Sequence, residues 1–155
     1  MARGFSYSSA IAPYLVSSNG FLEPQPKESV MTTKEHAYSE NEIAERLARD
    51  LPHWRYENGW IRRKFKTHSW KGTLMVINAV GHLAEAAWHH PDIAASYAWV
   101  EVKLMTHTAK GITDKDFELA RKIEEVVGWR PGKQGGALEG TPENDLRFAY
   151  LKYDD

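Results

Sequence analysis

The chain has 155 residues, which is enough for about one domain with a sizeable core. Its 20 basic and 21 acidic residues nearly cancel, so the composition gives no sign of a polyanionic partner such as nucleic acid. The lack of cysteine excludes disulfide bonds and thiolate sites, and no apolar run reaches the ~20 residues that span a bilayer, so we expect a cytoplasmic protein without a membrane segment.

The N-terminal part of the chain differs in composition from the rest of the sequence. Residues 1–38 are rich in serine, proline and small residues and lack helical or strand periodicity, which predicts a flexible leader. A first helix is predicted after Ser39, because a serine followed three residues later by Glu42 is the pattern of a capping box.

A hairpin and a longer helix come next in the chain. Two alternating aromatic segments flank Asn58-Gly59, a pair that tolerates the positive φ angles of a tight hairpin turn. The second strand carries the basic residues from Arg62 to Lys66; alternation divides them between two faces, so we interpret them as a solvated strand surface. A second helix is predicted from about Ser69 to Trp88, and Pro91 ends it because proline disfavours helical geometry in the residue before it.

The remaining elements complete the domain. The segment from Ile93 to Met105 predicts two strands or one bent strand, with Thr106 and His107 facing opposite sides. Thr113 is predicted to cap a third helix, with Asp116 at its third position. After Gly128 the composition turns to proline and glycine and then to aromatic residues, and a tail of that composition is expected to dock on something.

This element order predicts an α+β fold: a four-stranded antiparallel sheet with three helices packed on one face. The expected organisation is a leader over residues 1–38, a domain over 39–128 and a C-terminal extension over 129–155.

Three histidines are the strongest functional signal. His89 and His90 stand where the second helix ends, with Glu85 one turn upstream of His89 on the same predicted face. The carbonyl end of the helix favours a charged imidazole there. His107 stands at the end of a strand. Three groups that exchange protons near neutral pH indicate acid/base chemistry on a small molecule, although an exposed Glu-His pair, a strand histidine and a capping aspartate are each ordinary structural features.

Taken together, these residues resemble the signature of the pterin-4a-carbinolamine dehydratases. The shared pattern consists of Glu85, His89-His90-Pro91, Tyr97, Thr106-His107 and Asp116 at matching spacings. The resemblance extends over roughly residues 38 to 127, from Gly59-Trp60 and Arg63-Lys64-Phe65 to Gly111-Ile112-Thr113 and the third predicted helix.

The resemblance implies an activity and roles for these residues. The family removes water from a 4a-hydroxytetrahydropterin to give the quinonoid dihydropterin, which needs an acid for the departing hydroxyl and a base for a ring N–H proton. His89 and His107 would transfer the protons, while His90 holds the pterin and shares in the transfer. The residues that would orient the rings or bind the substrate are Glu85, Tyr97, Thr106 and Asp116. No cofactor or metal is implied, and the expected assembly is a homodimer or homotetramer.

The chain also departs from the family pattern. Trp88 replaces the asparagine often found before the double histidine, and Ile93 replaces a tryptophan. The extension resembles that of dehydratase-like proteins that accompany carbon-fixation genes, some of which are Rubisco assembly factors, so a protein-binding role with Rubisco is the second hypothesis. A zinc hydrolase using Glu85 and the three histidines, and a nucleic-acid-binding protein, are weaker alternatives.

Overall fold

A computed structural model describes residues 14–16, 22–24, 35–142 and 145–154, in two units that divide after Lys34. In the first unit, strands β1 (Tyr14–Val16) and β2 (Leu22–Pro24) pair antiparallel. The sequence pattern did not predict these strands. Most of the predicted flexible leader lies outside the described residues, and its flexibility stays a prediction.

Three helices form in the second unit, each beginning at a residue that the sequence identified. They are α1 (Glu40–Asp50), α2 (Trp70–Ala87) and α3 (Asp114–Val127). Capping boxes form at Ser39 with Glu42 and at Thr113 with Asp116, where each pair satisfies backbone N–H groups that the helix leaves free. None of the helices in the described residues is both long and apolar enough to span a bilayer.

The sheet is antiparallel, and its strands are β3 (Arg55–Glu57), β4 (Trp60–Thr67), β5 (Asp92–Ser96), β6 (Trp99–Leu104) and β7 (Leu151–Lys152). The first four have the order β3-β4-β6-β5, and β7 pairs with β4. Positive φ angles at Asn58 and Gly59 close the predicted hairpin, and the segment after Pro91 forms two strands rather than one. The predicted α+β fold is confirmed, with one additional strand from the extension.

The core lies between one face of the sheet and the helices. Alternate residues of β6, from Val100 to Leu104, are fully buried, as the period of two predicts. The helices contribute buried apolar side chains at helical spacing to the same cluster: Ile43 and Leu47 from α1, Val76 and Val80 from α2, and Phe117, Ala120 and Ile123 from α3.

The C-terminal extension docks on this domain. After a short 3₁₀ turn (Pro131–Lys133) the chain returns, and Leu151 enters the core with 6% of its surface exposed. The Tyr150 carbonyl accepts a hydrogen bond from the His68 N–H at 3.1 Å. Gly72 permits this approach, because a Cβ at that position would overlap the Tyr150 carbonyl oxygen. The tail was expected to dock on something, and around Tyr150 and Leu151 it docks on the domain of its own chain.

Candidate functional site

The chain leaves α2 through a left-handed residue. Trp88 has φ 51° and ψ 40°, and the His89 N–H bonds the Ala84 carbonyl at 3.1 Å. The helix therefore ends at Ala87, before Pro91 can act on it. The prediction that Glu85 and His89 share a helix face is wrong, because the left-handed residue turns the chain between them.

His89 turns inward, toward the beginning of α3. Its Nε2 lies 2.7 Å from Oδ1 of Asp116, and Asp116 is 0% exposed. The other carboxylate oxygen, Oδ2, accepts the Thr106 hydroxyl at 2.7 Å and the Thr113 N–H at 2.8 Å. Asp116 thus joins the end of α2, the beginning of α3 and the chain just after β6.

These bonds determine which nitrogen of His89 is free. As a carboxylate, Asp116 can only accept hydrogen bonds, so the Nε2 of His89 must carry a proton. The single proton of Thr106 goes to Asp116, and Thr113 therefore donates to Thr106 across their 2.8 Å contact. The Nδ1 of His89 is left without a partner in this network and can accept a proton from a bound molecule.

His90 takes a different direction from its neighbour. Its Nε2 lies 3.0 Å from Oε2 of Glu85, and both side chains are exposed. The Trp88 ring meets the His90 ring edge to face, with 5.4 Å between centroids. Glu85 therefore orients His90, whereas Asp116 orients His89.

His107 lies in the turn after β6. The Lys110 N–H bonds the His107 carbonyl, and the backbone groups of Thr106 and Gly111 pair with each other to close the turn. The exposed His107 ring contacts the Trp60 ring at 5.8 Å, nearly perpendicular to it. Because Thr106 is buried and bonded to Gly111, it supports Asp116 and does not offer its own backbone groups to a ligand.

Tyr97 is not brought to this region. It lies at the turn between β5 and β6, where Ser96 pairs with Trp99, whereas the histidines lie near the other end of this hairpin, where Asp92 pairs with Lys103. Its side chain is exposed, and its carbonyl accepts the Thr73 hydroxyl at 3.0 Å. Of the seven predicted site residues, Tyr97 is the one separated from the rest.

Sequence reasoning missed two contributors to the site. Thr113 was expected only to form the capping box of α3, but its hydroxyl also bonds Thr106, which donates to the carboxylate that holds His89. Trp60 packs on His107, and its place at the start of an alternating strand gave no indication of this contact. A threonine three residues before a predicted site aspartate was the available signal for Thr113.

Two surface cavities lie apart from the three predicted histidines. Within residues 35–142 and 145–154, no three or more histidine, aspartate or glutamate side chains come together in a way that could hold a metal ion. A groove of about 530 Å³ lies against α1 and β3, and a cavity of about 1270 Å³ is lined mainly by the extension. Neither is lined by His89, His90 or His107.

Comparison with known proteins gives a consistent family match. The family model described as pterin 4 alpha carbinolamine dehydratase matches residues 36–126. A candidate pterin-4-alpha-carbinolamine dehydratase of Aquifex aeolicus is 46% identical over 89 residues, which are 57% of this chain and 89% of that protein. One from Chloroflexus aurantiacus is 47% identical over 90 residues, 58% of this chain and 96% of its own.

One solved structure agrees with the sequence match. The crystal structure of a transcriptional coactivator/pterin dehydratase from Brucella melitensis aligns with a TM-score of 0.56 and 30% identity, over 60% of this chain and all of that one. A pterin dehydratase-like protein described as a RuBisCO assembly factor in the alpha-carboxysome aligns with a TM-score of 0.41 and 18% identity. The second similarity is too low to support an inference about this chain.

Proposed function

Because the chain belongs to the pterin 4 alpha carbinolamine dehydratase family, we propose that it removes water from a 4a-hydroxytetrahydropterin and releases the quinonoid dihydropterin. The observation that carries the proposal is the bond from His89 to the fully buried Asp116. A buried carboxylate that fixes one ring nitrogen leaves the other oriented for proton transfer, and it stabilises the imidazolium that forms.

Two histidines divide the reaction in this proposal. His89 takes a ring N–H proton through Nδ1, and His107, in its protonated form, gives a proton to the hydroxyl on C4a. The C4a–O bond breaks, water leaves, and the electrons of the N–H bond form the new double bond. His90 lies beside His89 in the chain and holds the pterin, with its ring oriented by Glu85.

The test is the disappearance of 4a-hydroxytetrahydropterin, followed by absorbance, with and without the protein. We expect H89A and H107A to lower kcat by roughly 10²–10⁴, the usual contribution of a general acid or base. H82A is the matched control, because His82 is an exposed histidine of α2 for which the structure gives no site contact. A wild-type rate no faster than that in buffer would reject the dehydratase function.

We also propose a homo-oligomer that is joined through β5 and α2. All five residues of β5 are exposed, and β5 is an edge strand of the sheet, so its outer backbone groups can pair with another chain. The adjacent helix exposes three large apolar side chains: Trp70, Leu74 and Met75. An unprotected strand edge beside an exposed apolar helix face suits a symmetric contact between two copies.

As a second function, we propose that the extension binds a protein, and Rubisco is the partner that its resemblance to assembly-factor-like members implies. The extension exposes Trp129, Leu138, Leu146 and Phe148 around the larger cavity, and exposed apolar clusters of this kind mark protein-binding surfaces. We expect L138A/L146A to lower the yield of assembled Rubisco on co-expression while leaving pterin dehydration unchanged. An unchanged yield with this variant, which keeps β7 in place, contradicts the second function.

A further inference from the structure

The segment before α1 crosses the elements that carry the site. We name residues 35–38 the N-terminal strap. The Tyr38 N–H bonds the Ile112 carbonyl at 2.8 Å, and the Tyr38 ring packs against Phe117 of α3. Ala37 lies so close to Gly111 that a Cβ on Gly111 would come within 3.0 Å of it. The strap is therefore anchored along the turn that contains His107 and Gly111.

Glu35, at the beginning of the strap, touches two elements of the site at once. Its Oε2 accepts the Thr108 hydroxyl at 2.9 Å, and its Oε1 forms an ion pair with the Lys115 ammonium group. Thr108 is the residue after His107, and Lys115 is the residue before Asp116. One carboxylate thus links the turn that carries His107 to the helix beginning that holds His89.

We propose that Glu35 is a positioning residue of this site, which sets the separation of His107 from the Asp116–His89 pair. The inference rests on the proposed function, in which His107 and His89 act on one substrate. These rings are carried by different elements, and His107 lies in an exposed turn in which the Trp60 ring is the contact of its side chain. A misplacement of about 1 Å between reacting groups can lower a rate about 100-fold, so such a turn benefits from a second anchor.

Electrostatics agrees with this placement. The pKa of the Glu35 carboxyl is lowered, first by its bond to Lys115 and then by its bond to Thr108, the two contacts that define its position. The ion pair is largely solvated, with 57% of the Lys115 side chain exposed, and pairs of that kind add little to global stability.

The test compares four single variants and one double variant of the full chain. E35A removes both contacts, T108V removes the hydroxyl contact, K115M removes the ion pair, and E118Q is the control, an exposed glutamate of α3 without a site contact. We expect E35A to lower kcat about tenfold with KM changed less than about twofold. The double variant E35A/T108V should have the same kcat as E35A, because both changes remove the same contact. The melting temperature should stay within about 2 °C of the wild-type value.

A second readout separates this inference from the dehydratase function. In ¹⁵N-labelled protein, we expect the ring resonances of His107 to shift or broaden in E35A and T108V but not in E118Q. If the wild-type protein fails to dehydrate the pterin, these resonances still decide the role of Glu35. Equal kcat and equal His107 resonances in E35A and E118Q would overturn the proposal, and so would a kcat loss that accompanies a large fall in melting temperature.

Discussion

Asp116 performs two tasks with one side chain. It completes the capping box of α3 through the Thr113 N–H, and it holds His89 with its other oxygen. Because the carboxylate is fully buried, each donor that meets it depends on it for a partner. The stability of the helix beginning and the orientation of a proton-transfer group are therefore coupled at this residue.

This coupling predicts the effect of D116N. An amide presents N–H groups to donors that need an acceptor, so we expect a loss of about 1–3 kcal/mol in the free energy of unfolding and at least a 100-fold loss in kcat. Urea unfolding and the pterin assay measure the two effects. D114N is the control, because Asp114 belongs to the same first turn but bonds Tyr38 and Arg46 instead of a histidine. Comparable kcat values in the two variants would contradict the role of Asp116.

Local contacts of the candidate site could be predicted from the sequence, whereas contacts between distant residues could not. The spacing of Thr113 and Asp116 predicted the capping box, which is a local contact, and the structure confirms it. The bond from His89 to Asp116 spans 27 residues and depends on how α2 and α3 pack, which no local pattern encodes. The prediction paired Glu85 with His89, whereas Glu85 bonds His90. The left-handed residue between them could not be predicted, because tryptophan, unlike glycine, does not indicate that conformation.

Trp88 itself is an unfavourable residue for its backbone conformation. Most side chains cost about 1 kcal/mol or more in the left-handed region. Glycine is tolerated there because it has no Cβ, and asparagine because its short polar side chain can hydrogen-bond locally. Because 78% of Trp88 is exposed, its replacement sacrifices little burial. We expect W88N and W88G to raise the free energy of unfolding by about 1 kcal/mol, measured by urea denaturation. W88A keeps the unfavourable backbone, so an equal gain in W88A would show that strain is not the cause.

At the level of elements, the extension behaves as part of the sheet. Strand β7 pairs with β4, and Asp154 forms a 2.6 Å ion pair with Arg63, which also bonds Glu124 of α3. The sequence predicted docking of the tail from its aromatic composition. It could not predict the partner strand, because two residues of β7 meet β4 across more than 80 intervening residues and carry no periodicity of their own.

Alanine substitutions at two glycines of α2 test whether the tail packs against this helix. A Cβ at Gly72 would overlap the Tyr150 carbonyl, whereas a Cβ at Gly81 would meet nothing within 4 Å. We expect G72A to lower the free energy of unfolding by about 1–3 kcal/mol and to expose the tail to proteolysis, because the carbonyl must move. G81A should raise stability by up to about 1 kcal/mol through helix propensity. Similar effects of the two changes would contradict a tail packed against the beginning of α2.

At the scale of the whole molecule, the strands of the sheet differ in how far other elements cover them. β7 covers part of one edge of β4, and α1, α2 and α3 cover one face of the sheet. β5 also meets α2, but all five of its residues are exposed at the edge of the sheet, and the strand contains no lysine or proline, which protect many natural edge strands. The sequence could not indicate this difference, because exposure of an edge depends on strand order rather than on strand pattern.

The unprotected edge leads to a prediction about assembly. Ile93 is exposed on β5, and a lysine there would place a charge at a contact between two strand edges. We expect I93K to shift the mass measured by size-exclusion chromatography with light scattering to that of a smaller species. L74K tests the contribution of α2 in the same way, and L146K, in the extension, is the control with an equally drastic change. If I93K and L146K both keep the wild-type mass, β5 is not the contact; if L74K alone reduces the mass, the copies associate through the helix.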